Sequence, residues 1–566
     1  MNVLEAPFLA TLLPKLLTPE ELCNLKKCSQ KISFSITTNS KILATIQSID
    51  ESRGTELKNL KKSFPLGEMI ITKDDTKSTD LDEKKLNNYL PIVGITITNS
   101  TKITFEQLTK LSKLRSLSLT HSKYYPHSPD KGNPSLLSNL INLTSVYIYA
   151  DYEYLEPLTN LPIKNLTIYS MHNIDETNIK KFTHLNDLTL SYCCCPSYAF
   201  LNRFTQLTYL KIGCHSESTF LKDDDIINLT NLRNLEISIK GEITDKSIGQ
   251  LTNLTSLELD VFDSNPGGGG GMPMYRLCEY NKKRLTGLGL GKLTNLIELN
   301  VRSPIDGTAI AALTNLEELE IWNRLSDVGA PHMRNLKKLK TFKWKKLDDT
   351  GDMLRTLPAL RDLSIVLDLK IAKFINNLTN LTSLILHRSG DEKYIPPTRE
   401  TLSKAFQNLQ HLKKLEIGYM LPIIDKDLLP LKNLEILVIP NNEHITGECF
   451  SHLPLRKLNL HKNNFINDSR LAECTNLEIL NIGGSINRDL EHKRNITKMS
   501  LIRLANLRKL NVCLNRTIKL EDLVSLKHLQ WIHIHVKEDQ THLLQRFKDS
   551  GCKIVHCECW DMRDLD

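Results

Sequence analysis

The chain has 566 residues, 40% of them hydrophobic, with 73 basic against 65 acidic side chains and a net charge of +8. That length ordinarily implies several globular domains, and so small a charge excess argues against a dedicated nucleic-acid binder, which would carry a clustered basic stripe. No run approaches the roughly 18 apolar residues of a membrane span, and Met1-Asn-Val-Leu-Glu5 has neither the basic region nor the apolar core of a signal peptide.

Residues 1–45 stand apart from the rest of the chain. Between residues 4 and 30, apolar side chains recur at helical spacing: Leu9, Leu12, Leu13, Leu16 and Leu17, then Leu22, Leu25 and Cys28. Thr18-Pro19-Glu20-Glu21 has the form of a helix start, Thr as N-cap and Pro at the first helical position. Two short amphipathic helices joined by a tight turn are expected. The pattern is similar to the F-box, with Pro7, Leu12, Leu13, Leu16, Leu17, Glu21, Leu22, Leu25 and Cys28 at matching positions. Ile32 and Phe34 approximate its closing aromatic. The resemblance implies docking on the adaptor subunit of a cullin-type ubiquitin ligase through Pro7, Leu12, Leu13, Leu16, Leu17, Leu22 and Leu25. A helical cap on a stack of repeats is the alternative. Residues 46–89 read as a charged linker or degenerate first repeat, with a first strand near Phe64–Ile71.

From residue 90 to 540 one frame recurs. In Ile243–Asp260 the leucines fall at 251, 254, 257 and 259, and the alternating end reads as a short strand with one buried face. Thr244-Asp245 can cap the turn before it. The frame returns at Leu114/Leu117/Leu119, Leu185/Leu188/Leu190, Leu232/Leu235/Ile237, Leu316/Leu319/Ile321, Leu412/Leu415/Ile417 and Leu507/Leu510/Val512, among others. The tag Leu-Thr-Asn-Leu stands at 229–232, 251–254, 293–296, 313–316 and 378–381, and the commonest step is 22 residues. This resembles the leucine-rich repeat family. The resemblance implies an α/β solenoid: a horseshoe with a parallel inner β-sheet, short convex helices or turns, and the small helical segment at the N-terminus.

Insertions break the spacing near 122–136, 262–284, 388–404 and 485–500. The second contains five consecutive glycines, Gly267 to Gly271, and the third Pro396-Pro397 before a helix. At the end, His542–Phe547 reads as a helix and Lys553–Trp560 as a last strand, so residues 541–566 form a C-terminal capping repeat.

No catalytic signature is present: no GxSxG, Walker A, HExxH or kinase motif. No cofactor is expected. His533, His535, Cys552, His556, Cys557 and Cys559 are zinc-ligand types, but no CxxC pair frames them, and ordinary cap residues are the alternative. The 13 cysteines are scattered and read as reduced, in a cytoplasmic or nuclear setting.

The informative surface is the inner sheet face, set by the residues between and just after the last two leucines. It carries Tyr147, Tyr149 and Tyr169, then Glu236, Glu258 and Asp260, then Arg302, Trp322, Lys343 and Lys345. Trp322 is expected to stand exposed among Arg302, Lys343 and Lys345, and Trp344 to pack in the core. Tyr, Trp and Arg dominate protein interfaces. The expectation is a non-enzymatic protein-interaction scaffold holding one or more proteins on its concave face. Its sharper form is an F-box/LRR-like substrate adaptor. The alternative is an LRR regulatory subunit of a phosphatase or signalling enzyme.

Overall fold

The structure is a computed structural model. It describes residues 32–36, 42–46, 68–71, 92–98, 104–120, 132–149, 154–169, 176–192, 195–213, 220–262, 285–302, 305–322, 330–344, 351–389, 394–418, 421–484, 496–513, 515, 518–534 and 541–556, a few single positions apart. The chain divides into two compact units, Met1–Asn281 and Lys282–Asp566. Each is an α/β solenoid of leucine-rich repeats.

In the first unit, β1 (Ile32–Ile36) runs antiparallel to β2 (Ile42–Ile46), with Phe34 opposite Ala44. Ile32 and Phe34 therefore lie in a strand and do not close a helix. Ile-Ser-Phe-Ser-Ile alternates with period two, the pattern of a strand. Parallel pairing then carries through β3 (Glu68–Ile71), β4 (Ile92–Thr98), β5 (Ser116–Thr120) and β6 (Ser145–Ile148). It continues through β7 (Asn165–Tyr169), β8 (Asp187–Ser191) and β9 (Tyr209–Gly213). β10 (Leu221–Lys222) pairs the end of β11 (Asn234–Glu242), which lies between β9 and β12 (Ser256–Phe262). The helices expected between residues 4 and 30 lie outside the described residues.

The second unit stacks β13 (Glu298–Val301), β14 (Glu318–Ile321), β15 (Thr341–Trp344), β16 (Asp362–Val366) and β17 (Ser383–His387) in sequence order, all parallel. β18 (Lys414–Ile417), β19 (Ile436–Val438), β20 (Lys457–Asn459) and β21 (Ile479–Asn481) come next. β22 (Lys509–Asn511), β23 (Trp531–Ile534) and β24 (Lys553–His556) complete it, with Ile532 beside Ile554. Short helical turns such as Asp245–Ile248 and Leu369–Ile375 connect the strands. Among the described residues no helix is long and apolar enough to cross a membrane.

Register explains the leucine frame. Leu235 lies beside Leu257 and Ile237 beside Leu259, so like positions stack into columns. Ile243, Ile248, Leu251, Leu254, Leu257 and Leu259 are all buried. Each contributes roughly 1.5–3 kcal/mol when removed from water, but only because a neighbouring repeat covers it.

The Leu-Thr-Asn-Leu tag has a separate cause. The side-chain amide of its Asn donates to a backbone carbonyl one repeat back: Asn231 to Thr205 O at 2.8 Å, Asn253 to Thr230 O at 2.9 Å, Asn315 to Thr294 O at 2.9 Å, Asn380 to Pro358 O at 3.0 Å. Those carbonyls sit in turns, outside any strand ladder, and would otherwise lack a protein donor. A second ladder joins the helical turns. Thr244 caps its own turn by accepting from Lys246 N, and its N–H and hydroxyl donate to Asp223 of the preceding repeat. Asp425 and Asp468 receive the turns of later repeats in the same way.

The insertion near 388–404 is tied down where it is described. The Tyr394 hydroxyl donates to Leu367 O at 2.8 Å, Pro397 is buried, and the helix Arg399–Ala405 comes directly after. Cys195, Cys449, Cys474 and Cys552 are buried thiols, and burial pushes Cys474 up to about 12. Cys513 is disulfide-bonded, which departs from the expectation of reduced cysteines throughout.

Candidate functional site

In the first unit the pleat turns Tyr147 and Tyr149 outward from either side of the buried Ile148. They are 37% and 41% exposed. Tyr169 follows β7's buried Ile168 and lies half-buried between two rings, with centroids 4.7 Å from Tyr149 and 4.7 Å from Tyr192. The three rings form a tilted stack across consecutive strands. Desolvation and the hydrogen bond with Tyr192 hold the Tyr169 phenol above its ordinary pKa.

Tyr192 is a site residue that strand periodicity does not reveal. Ser191, not Tyr192, is the register partner of Tyr169. Tyr192 joins the stack because its backbone turns into the left-handed region, φ 58°, with its N–H donating to Gly213 O. A non-glycine residue pays roughly 1–2 kcal/mol for that conformation. Around the rings the β5–β8 face carries the hydroxyls of Ser118, Ser145, Thr167, Thr189 and Ser191, with Asn165 and one carboxylate, Asp187, at the entry end of the strands.

The acidic zone expected next is largely used internally. Glu236 accepts from the Tyr209 hydroxyl at 2.8 Å and pairs with Lys211 at 2.5 Å. Burial first, and then Glu236, holds the Tyr209 phenol well above its usual range. Asp260 is buried, with the Ser238 hydroxyl 3.4 Å away.

In the second unit Trp344 is buried against Phe342, at 5.9 Å between ring centroids, as its strand register requires. Trp322 departs from expectation. It does not stand open but is half-buried, and the Arg302 guanidinium lies 4.4 Å above its ring. Trp322 N donates to Val301 O at 3.1 Å, so the ladder continues one residue past β14 and sets Trp322 beside Arg302 of the preceding repeat. Lys343 is exposed and paired with Glu320 at 3.0 Å. The structure thus brings Arg302 onto Trp322 and ties Lys343 to Glu320. Lys345 lies outside the described residues.

Pro7, Leu12, Leu13, Leu16, Leu17, Leu22 and Leu25 also lie outside the described residues. Of the zinc-ligand candidates, only His533 and Cys552 have described side chains. No group of three or more His, Cys, Asp or Glu that could hold a metal occurs among the described residues. Sequence reading also missed Ser364, nearly buried on β16, whose hydroxyl lies 2.9 Å from Nε2 of His387 on β17.

Among solved structures the chain is similar to an internalin (inlF) from Listeria monocytogenes str. 4b F2365, with TM-score 0.34 and 19% identity, covering 66% of this chain and 86% of that one. It is also similar to TLR13 in a complex with ssRNA13, with TM-score 0.43 and 17% identity, covering 90% of this chain and 77% of that one. The sequence matches no family model and no curated protein.

Proposed function

We propose that this protein is a protein-interaction scaffold, not an enzyme, and that it holds a partner on the inner face of its repeats. One observation carries the reading: Tyr147, Tyr149 and Tyr192 are exposed beside Tyr169 on the sheet face, among Ser and Thr hydroxyls. The core does not need these rings there. Tyrosine supplies large contact area at low entropic cost, and Ser and Thr supply adaptable hydrogen bonds around it. The Arg302–Trp322 pair with Lys343 is a second, charged contact patch on the inner face of the other unit.

The test is affinity purification of the full chain beside a Tyr149→Ala/Tyr169→Ala variant. Partners should be lost from the variant while its melting temperature stays within a few degrees. Retention of every partner would exclude this patch.

A sharper form of the reading is a substrate adaptor for a cullin-type ubiquitin ligase, supported by the F-box-like spacing of Pro7 to Leu25. Removing residues 1–30 leaves the β1–β2 pair in place. An adaptor then loses the ligase and keeps its target, whereas a regulatory subunit of a phosphatase or signalling enzyme keeps its main partner.

A further inference from the structure

Outside the inner face, the second unit has an open groove of about 460 Å³ along the edge where its chain enters the strands. Its walls are two rows of equivalent positions. One row follows the last leucine before each strand: Lys340, Arg361, Thr382 and Lys413. The other is the tag's Asn position, and there the second repeat has Ala359, in Leu357-Pro-Ala-Leu360, where the tag has Asn. The missing amide leaves room, and His411 stands in the same row two repeats on.

The first row is elsewhere an ion-pair ladder. Lys340 pairs with Glu317 at 2.6 Å, Lys413 and Arg456 each reach Glu435 at 3.8 Å, and Arg456 binds Glu478 at 2.6 Å. The alternation breaks at Arg361. Its neighbours in the row are Lys340 and Thr382, and it makes no ion pair among the described residues. Three cations therefore line a groove whose lining includes no carboxylate: Lys340 and Lys413 are paired with Glu317 and Glu435 outside it, and Arg361 has no carboxylate partner among the described residues.

We propose that this groove binds a phosphate monoester presented on an extended peptide segment, with Arg361 as its central ligand and Lys340 and Lys413 at the flanks. A guanidinium fork matches a phosphate bidentately, and the dianion replaces the carboxylate the ladder lacks. Strands lie roughly 4.8 Å apart, so Lys340 to Lys413 spans about 14 Å, the reach of about four extended residues. The groove is separate from the tyrosine stack, and the interaction-scaffold reading enters only in choosing a peptide as the carrier of the phosphate.

The test uses the full chain and a fluorescein-labelled heptapeptide, Ala-Gly-Ala-phosphoserine-Ala-Gly-Ala, with its unphosphorylated and Glu-substituted forms, read by anisotropy. The phosphopeptide should bind at least about tenfold more tightly than either control, weaken with added salt, and be displaced by phenyl phosphate. Arg361→Gln should weaken it about tenfold or more. Ala359→Asn restores the tag, keeps every cation and fills the groove, so it should block binding with no loss of melting temperature. Equal affinity for the phosphorylated and unphosphorylated peptides, or unchanged affinity in Arg361→Gln, overturns the proposal. Equal affinity for the Glu-substituted form overturns phosphate as the ligand. Phenyl phosphate binding that Arg361→Gln abolishes, without peptide binding, overturns the peptide carrier. The Tyr149→Ala/Tyr169→Ala variant should bind the phosphopeptide normally, so failure here leaves the inner-face reading standing.

Discussion

Trp322 and Trp344 occupy consecutive repeats, the first half-buried and the second fully buried, and a pair of substitutions separates them. Trp344→Ala should cost on the order of 3–5 kcal/mol, since it empties a buried site beside Phe342. Trp322→Ala should cost about 1 kcal/mol, the scale of its contact with Arg302. Chemical denaturation measures both, and the reverse order would mean the inner face is misassigned. The histidines near the end of the second unit report on pH. Burial, and for His461 also Lys462, holds His461 and His533 below the ordinary histidine value. The unfolded chain then takes up protons before the folded one. Their contribution is complete above about pH 6.5 and is lost as pH falls from there through the lower folded values. The denaturation midpoint should drop between pH 7.5 and 5.5, and His461→Gln should make that drop shallower. An unchanged slope would count against the burial of His461.

At the scale of the element, the stability of a helical turn rests on its neighbour's side chains. Asp425, nearly buried, accepts from Thr446 N and Oγ1, Gly447 N and Cys449 N of the next repeat. Asp425→Ala strands those donors at once and should cost about 3 kcal/mol or more. Asn253 makes one exposed cross-repeat bond, so Asn253→Ala should cost about 1 kcal/mol. Urea titration of the two variants tests the ranking, and equal losses would deny the aspartate ladder its role. This hierarchy shows why the tag is written so regularly: each Asn contributes little alone, and the repetition carries the sum.

At the scale of the whole molecule, each repeat touches its neighbours and little else within its unit. Damage should therefore spread by distance along the chain. In Asp425→Ala, hydrogen exchange should accelerate first in β18, β19 and β20 and fade toward β14 and β24. Uniform acceleration across the second unit would indicate a single cooperative core instead of a nearest-neighbour stack. The same architecture offers many equivalent edge positions, so a site arises wherever one repeat departs from the consensus, as Ala359 does.

The sequence alone determined the solenoid, because the LxxLxxLxL frame admits one arrangement in which every leucine is covered: copies above and below in register. It also placed Trp344 inside and Tyr147 and Tyr149 outside, since alternation along a strand is a local rule. Tertiary structure alone decided what the outward residues do. Tyr192 reaches the aromatic stack through one left-handed residue, Glu236 is absorbed by Tyr209 and Lys211, and Arg302 closes over Trp322. Each of these depends on a partner about 20 or more residues away in sequence, and at that separation periodicity specifies a face but not the side chain across from it.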